Sequence, residues 1–257
     1  MTRDPITRGF TLVEMLLVIS LIALLIALLL PALQKSKSSA RAAVCLVNLR
    51  QLHTAQQLYA DEYFGKVKPL SHALGGYWHH ALARYLGDSN YHLNPNQGQW
   101  KQEPLKVFAC PEALNDPVGG FGTADRVWHW GGGGQGGYGA NLWLFTRYNE
   151  YDFDFRFPRK HFFSSFMDVD RTSSVPLFGD SNWVGSWPDS VDTVPPSLHL
   201  GWAVHEIGYF MGRFSITRHD RSVQLVFVDS SARRVPLAEL WQQRWHRGFA
   251  PVEKTVP

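Results

Sequence analysis

The sequence predicts an α+β fold: one long N-terminal helix packed on a small antiparallel sheet with long loops. Three observations predict it. Phe10 to Leu33 is apolar except for Thr11, Glu14, Ser20 and Pro31. Residues 35–63 remain helix-like, with apolar side chains recurring at helical spacing. Beyond residue 65 short apolar runs alternate with stretches rich in Gly, Pro and Ser, the pattern of strands and loops.

The chain has 257 residues, 45% of them hydrophobic, which is enough for a core and rules out a wholly disordered chain. It carries 25 Lys and Arg against 22 Asp and Glu, without a dense basic stripe, so nucleic acid is not an expected partner. Mean hydropathy is mildly polar, which excludes a polytopic membrane protein. Two cysteines cannot make a disulfide-rich scaffold, but they can make one bridge.

The first element is the apolar helix. About 20 apolar residues in helical form cross a bilayer core, so residues 10–34 are predicted to span. Arg3 and Arg8 favour a cytoplasmic N-terminus, although Lys35, Lys37 and Arg41 follow the span. A cleaved secretory signal has a shorter apolar region and a small-residue cleavage site. A plain anchor and a buried core helix are the other bland alternatives. None of the three explains Glu14, since a carboxylate in a lipid-facing helix is costly and points to function.

Arg8-Gly9-Phe10-Thr11-Leu12-Val13-Glu14 resembles the processing site of type IV pilins and type II secretion pseudopilins. The resemblance implies that a prepilin peptidase cuts after Gly9, that Phe10 becomes a methylated N-terminus, and that Glu14 acts in assembly. Elementary electrostatics agrees with it. The cut would free an α-amine with a pKa of about 8 in an apolar layer. Glu14 is an anion in the same layer, and a paired charge there costs far less than either alone. Pairing between neighbouring subunits would also fix their axial register, as a buried polar residue does in a coiled coil.

The implied organisation is a leader over 1–9, a transmembrane helix over 10–34, its amphipathic continuation over 35–64, and a periplasmic globular domain over 65–257. Pro31 predicts a kink or local melting, because it removes one backbone bond and clashes with the preceding turn. In the continuation, Cys45, Leu49, Leu52, Ala55 and Tyr59 form the packing face, and Arg50, His53 and Gln57 take the other side.

The globular elements follow in order. Residues 77–86 read as a short helix and 106–109 as a short strand before Cys110-Pro111. Residues 116–139 read as a Gly-rich loop, and 150–166 as a strand or an aromatic-rich loop. Val175 to Phe178 is a strand leading into Gly179-Asp180, and 182–200 is loop. Val223 to Val228 is the clearest strand, Asp229 to Ser231 a turn, and Arg233 to Pro236 a returning strand. Residues 236–246 read as a terminal helix with Leu237, Leu240, Trp241 and Trp245 on one face.

His219, nine residues and then Asp229-Ser230 are similar to the H-x9-D-G signature of pilin-like families of Planctomycetes and Verrucomicrobia, with Ser230 in the place of the Gly. Gln51-Leu52 with Tyr59-Ala60-Asp61, Val107 to Pro111, and Leu177 to Asp180 resemble the same families. The resemblance supplies no ligand for the globular domain.

Several constellations were weighed for chemistry. Gly132, Gly134 and Gly137 match a dinucleotide fingerprint only because the stretch is nearly all Gly, and no βαβ unit surrounds them. His79, His80, His199, His205 with Glu206, and His219 lack the spacing of a metal site. Ser181, Asp180, His219 and Asp229 make a hydrolase triad on paper, but no nucleophile elbow is present. Asp180 and Asp229 are instead expected to close turns. No cofactor is expected, calcium at an acidic cluster near them being the alternative. All ten Trp lie after residue 77 and are assigned to the core rather than to a sugar-binding face.

Cys45 and Cys110 are expected to form a disulfide, which persists in the periplasm and would close a loop of about 65 residues; two unrelated buried thiols are the alternative. The expected function is a non-enzymatic filament subunit of the inner membrane, for secretion or a pilus. Its partners are the prepilin peptidase, other pilin-like subunits and the assembly machinery. The alternative is a minor pilin-like binding module that recognises glycan or polymer through Trp-rich loops. A membrane-tethered hydrolase ranks last.

Overall fold

A computed structural model describes residues 10–65, 78–87, 106–113, 120–130, 134–145, 158–163, 165–202 and 208–256. The leader with Gly9, the glycines 131–133, all of 146–157 and the pair at 205–206 lie outside the described residues. The chain divides into two units, 1–40 and 41–257.

Helix α1 runs over Leu12–Glu62, 51 residues without a break. It is long and apolar enough to cross a membrane. The helix passes through Pro31, so the local melting expected there does not occur. Within the first unit every described residue from Phe10 to Ala40 is exposed. The second unit takes in the helix from Arg41 on, so the globular body starts well before residue 65. There Cys45, Leu49, Leu52, Ala55 and Ala60 are buried, as helical spacing predicts, and Tyr59 is half-buried. His53 corrects the expected polar side: it is buried, with Nε2 3.0 Å from the Val228 carbonyl oxygen.

The sheet has five strands in the order β5-β3-β4-β6-β7. A separate hairpin pairs β1 (Trp128–Trp130) with β2 (Gly134–Gly136). Then come β3 (Tyr138–Asn141), β4 (Pro176–Asp180), β5 (Gly185–Ser186), β6 (Ser222–Phe227) and β7 (Ala232–Pro236). All neighbours pair antiparallel except β3 and β5, which are parallel, so the sheet is mixed rather than purely antiparallel. Strand β6 is buried along its whole length. Val223, Leu225 and Phe227 enter one core, while Val226 and Val228 enter the other, with the α1 face and helix α2 (Trp78–Ala83). The period of two in a strand thus feeds two apolar layers. At the edge, β7 exposes Arg233 and Arg234, and the Arg233 guanidinium lies 3.5 Å from the Phe227 ring centre. A charged edge resists pairing with another chain.

Other expectations need correction. Residues Lys106–Phe108 form a 3-10 helix, not a strand. The Gly-rich stretch is not simply a loop, since β1, β2 and β3 arise within 128–141. Gly137 serves a close approach: a Cβ there would lie 2.7 Å from the Cys110 backbone nitrogen. The terminal helix is reduced to a 3-10 helix over Leu237–Gln242, although Leu237, Leu240, Trp241 and Trp245 are all buried.

Candidate functional site

Cys45, Cys110, Asp180 and His219 converge inside the second unit. Their ligand atoms, the two Sγ atoms, a histidine nitrogen and a carboxylate oxygen, lie within 4.8 Å of one another, and all four residues are buried. Each arrives on a different element. Cys45 is on the packing face of α1. Cys110 ends the turn after the 3-10 helix Lys106–Phe108. Asp180 is the last residue of β4, opposite Tyr138, the first of β3. His219 precedes β6 and donates its backbone N–H to the Ser222 carbonyl at 3.1 Å.

The contacts are specific. Cys110 Sγ is 3.3 Å from His219 Nε2, and the same nitrogen is 3.1 Å from Asp180 Oδ2. Cys45 Sγ is 3.5 Å from Asp180 Oδ1. Around them stands a polar shell. The Tyr138 hydroxyl donates to Cys45 Sγ at 3.3 Å and accepts from Asn48 Nδ2 at 3.3 Å. The Gln224 amide donates to Asp180 Oδ2 at 2.7 Å. Arg218 lies 3.5 Å from Asp180 Oδ1, and its guanidinium also donates to the carbonyls of Thr123, Ala124 and Gly137. Those carbonyls hold the buried cation in place with its donors satisfied.

The electrostatics follow from burial and pairing. Burial works to raise the Asp180 carboxyl, but the His219 and Arg218 charges and the Gln224 amide hold it below the usual range. Burial works to lower His219, and the Asp180 charge overrides it, bringing the imidazole up to about 10. For Cys110, burial and the Asp180 charge push upward, while hydrogen bonding with Cys45 and His219 brings the thiol down to about 7. These groups share protons, so the cluster titrates as a unit.

The two cysteines, expected from the sequence to bridge, are brought together as neighbouring free thiols within hydrogen-bonding reach of each other. Cys45 Sγ also meets the Asp180 carboxylate and Cys110 Sγ the His219 imidazole. The paper triad does not assemble. Ser181 spends its hydroxyl on backbone, donating to the Arg213 carbonyl at 3.0 Å and accepting from the Trp183 amide at 3.1 Å. A catalytic histidine uses one nitrogen for the nucleophile and the other for the carboxylate. Here Nε2 meets both Cys110 and Asp180, and Nδ1 is buried with no hydrogen-bond partner among the described residues.

His219 and Asp229 therefore do separate work. Asp229 is exposed and closes the β6–β7 turn as expected, accepting from the Ser231 amide at 2.9 Å. Asp180 does not close a turn: it ends a strand inside the cluster. Ser230 takes a φ of 71°, the left-handed conformation that Gly would adopt without strain. Among the described residues, the group around Asp180 comprises Cys45, Cys110 and His219, not Asp229.

At the other end of the chain, Phe10 is exposed and Glu14 caps a helix. Glu14 Oε2 accepts from the Thr11 amide at 2.9 Å and the Thr11 hydroxyl at 2.8 Å, and Thr11 Oγ1 accepts from the Glu14 amide at 3.2 Å. This is a capping box. The T-x-x-E spacing before an apolar run was the overlooked signal. A second histidine cluster was also missed: His246 Nε2 lies 3.3 Å from Asp189 Oδ2, and its ring stacks on His161 at 4.3 Å. His246 Nδ1 accepts from the Gly248 amide at 3.1 Å, which ties down the C-terminal segment, while Nε2 makes no hydrogen bond among the described residues beyond its approach to Asp189. Of the other histidines, His199 faces Asp125 at 3.4 Å near the surface, and His79 and His80 are buried in α2.

No protein-family model, curated protein or solved structure matches this chain.

Proposed function

We propose that this protein is a structural subunit of a type II secretion or type IV pilus-like filament, made as a single-pass inner-membrane precursor and processed at Gly9–Phe10. The observation that carries the reading is the opening of α1. A basic leader, Gly9, Phe10 and Glu14 precede an apolar run whose described residues are exposed from Phe10 onward. Exposed apolar surface on that scale needs a partner, either lipid or the same segment of other subunits. The capping box gives Glu14 a local role without removing its charge. A free α-amine on Phe10 of one subunit can still pair with the Glu14 carboxylate of the next.

The binding-module alternative has less support. Trp78, Trp128, Trp143, Trp183, Trp241 and Trp245 are buried, so among the described residues they make core rather than a stacking platform. No catalytic role is proposed: among the described residues the Cys110–His219–Asp180 constellation is buried and sets both partners on His219 Nε2.

Mass analysis of the membrane-extracted protein tests processing. A mature N-terminus at methylated Phe10 is expected. An intact Met1 terminus in cells with active prepilin peptidase overturns the reading. Glu14→Gln then separates capping from charge: the amide keeps the capping acceptor and removes the anion. Insertion should be retained and incorporation into sheared filaments lost.

A further inference from the structure

We propose that Cys45, Cys110, Asp180 and His219 form a closed four-ligand site for a zinc-type divalent ion. The inference does not depend on the filament reading, and it concerns the second unit alone.

The donor set is the first argument. Two thiolates, an imidazole and a carboxylate are ligands that zinc takes in tetrahedral structural sites. Distance is the second. Zinc bonds of about 2.3 Å to sulfur and about 2.0–2.2 Å to nitrogen and oxygen give a tetrahedron with edges of about 3.3–3.8 Å. The observed edges are 3.3 Å from Cys110 Sγ to His219 Nε2, 3.5 Å from Cys45 Sγ to Asp180 Oδ1, and 3.1 Å from His219 Nε2 to Asp180 Oδ2. Two of these contacts use different Asp180 oxygens, and all four ligand atoms lie within 4.8 Å of one another, so a small inward shift of side chains would bring four donors to ligand spacing.

The hydrogen-bond pattern is the third argument. His219 Nε2 faces an oxygen and a sulfur together, yet it carries one proton or one lone pair along one axis. Shared between the two in a three-centre contact, one proton satisfies neither neighbour fully, whereas a single ion among them would satisfy all four donors. Charge is the fourth. Two thiolates and a carboxylate bring three negative charges; a divalent ion and the buried Arg218 bring three positive ones. The site is then neutral with His219 uncharged, which limits the cost of burying it. The outer partners suit a metal centre as well. The Tyr138 hydroxyl donates to Cys45 Sγ and the Gln224 amide to Asp180 Oδ2, so a thiolate and a carboxylate ligand would both be oriented.

An ion here would join α1, the Cys110 turn, β4 and the segment before β6. With four protein ligands and no open position, its role is structural rather than catalytic. A disulfide would draw the sulfurs to about 2.05 Å and remove them from the ligand set, so bridge and ion exclude one another.

The test uses the full chain, extracted in mild detergent without chelator under reducing conditions. Elemental analysis should find about one zinc per chain. Exchange for Co²⁺ should give sulfur-to-metal charge transfer in the near ultraviolet and the visible bands of a tetrahedral ion. Cys45→Ser and Cys110→Ser should each weaken metal binding by at least about tenfold and reduce the charge-transfer band. The cobalt spectrum needs only the wild type, so misfolded variants leave it decisive. Three results would overturn the proposal: reduced wild type that takes up no Co²⁺, bound Co²⁺ without charge transfer, or native protein free of stoichiometric metal with a Cys45–Cys110 disulfide in its peptide map.

Discussion

The two halves of α1 share one backbone and follow opposite rules. From Phe10 to Ala40 no described side chain is buried. From Cys45 to Ala60 the same helix buries one stripe of Cys45, Leu49, Leu52, His53, Ala55, Gln56 and Ala60. Up to Leu33 the first half is apolar nearly all round, which suits a hydrocarbon or a bundle of like segments. The second is apolar on one side only, which suits a folded body in water. Apolar content and helical form are therefore poor guides to burial by themselves; the angular distribution of apolar side chains decides which solvent a helix is made for.

The sharpest way to break this contrast is a matched pair of truncations. Leu52→Ala opens a cavity against the sheet and should destabilise the globular unit by about 2–5 kcal/mol. Leu25→Ala removes the same atoms from an exposed position and should change that unfolding free energy by less than about 0.5 kcal/mol. Denaturant melts of both variants in one detergent would show it, and equal losses would mean that the first half is packed in the same cooperative unit.

A buried charge provides the next largest effect. Burial raises Asp192 to about 6, against the hydrogen bonds that Oδ2 accepts from the Asp189 and Met211 amides. A carboxyl whose folded pKa is raised contributes stability below its unfolded pKa near 4 and loses it as pH rises through about 6. Asp192→Asn keeps the carbonyl acceptor and cannot ionise. It should match the wild type near pH 4 and exceed it above pH 6 by up to about 3 kcal/mol. Parallel pH–stability curves for the two proteins would dismiss the assignment.

Smaller effects sit at the ends of elements. Thr11→Ala removes the cap and should loosen the first turn of α1 by about 1 kcal/mol, seen as faster amide exchange at residues 12–14 with the globular melt unchanged. Ser230→Gly relieves the left-handed residue in the β6–β7 turn and should stabilise the second unit by about 0.5–1 kcal/mol. A lower melting temperature for that variant would show that the Ser230 side chain contributes something the turn geometry does not reveal.

What the sequence by itself determined was periodic or local. The long apolar helix, the buried stripe at Cys45, Leu49, Leu52 and Ala55, the strand at Val223 to Val228 and the Asp229 turn are all legible, because a repeat of 3.6 or 2 and a side-chain acceptor at a turn act over a few residues. His53 escaped that logic: a polar residue was assigned to solvent, and its burial depends on a carbonyl at Val228 far along the chain. Gly137 escaped it too, because it answers to the Cys110 backbone passing at close range rather than to its own flexibility. The cluster of Cys45, Cys110, Asp180 and His219 was decided by tertiary structure alone. Val107 to Pro111, Leu177 to Asp180 and the His219 signature each held one of its residues, but no spacing links them. Only the pairing of β3, β4 and β6 and the seating of the 41–62 stretch of α1 bring the four donors within 4.8 Å. Side chains so far apart in sequence meet through the sum of many apolar contacts, and that sum leaves no local pattern to read.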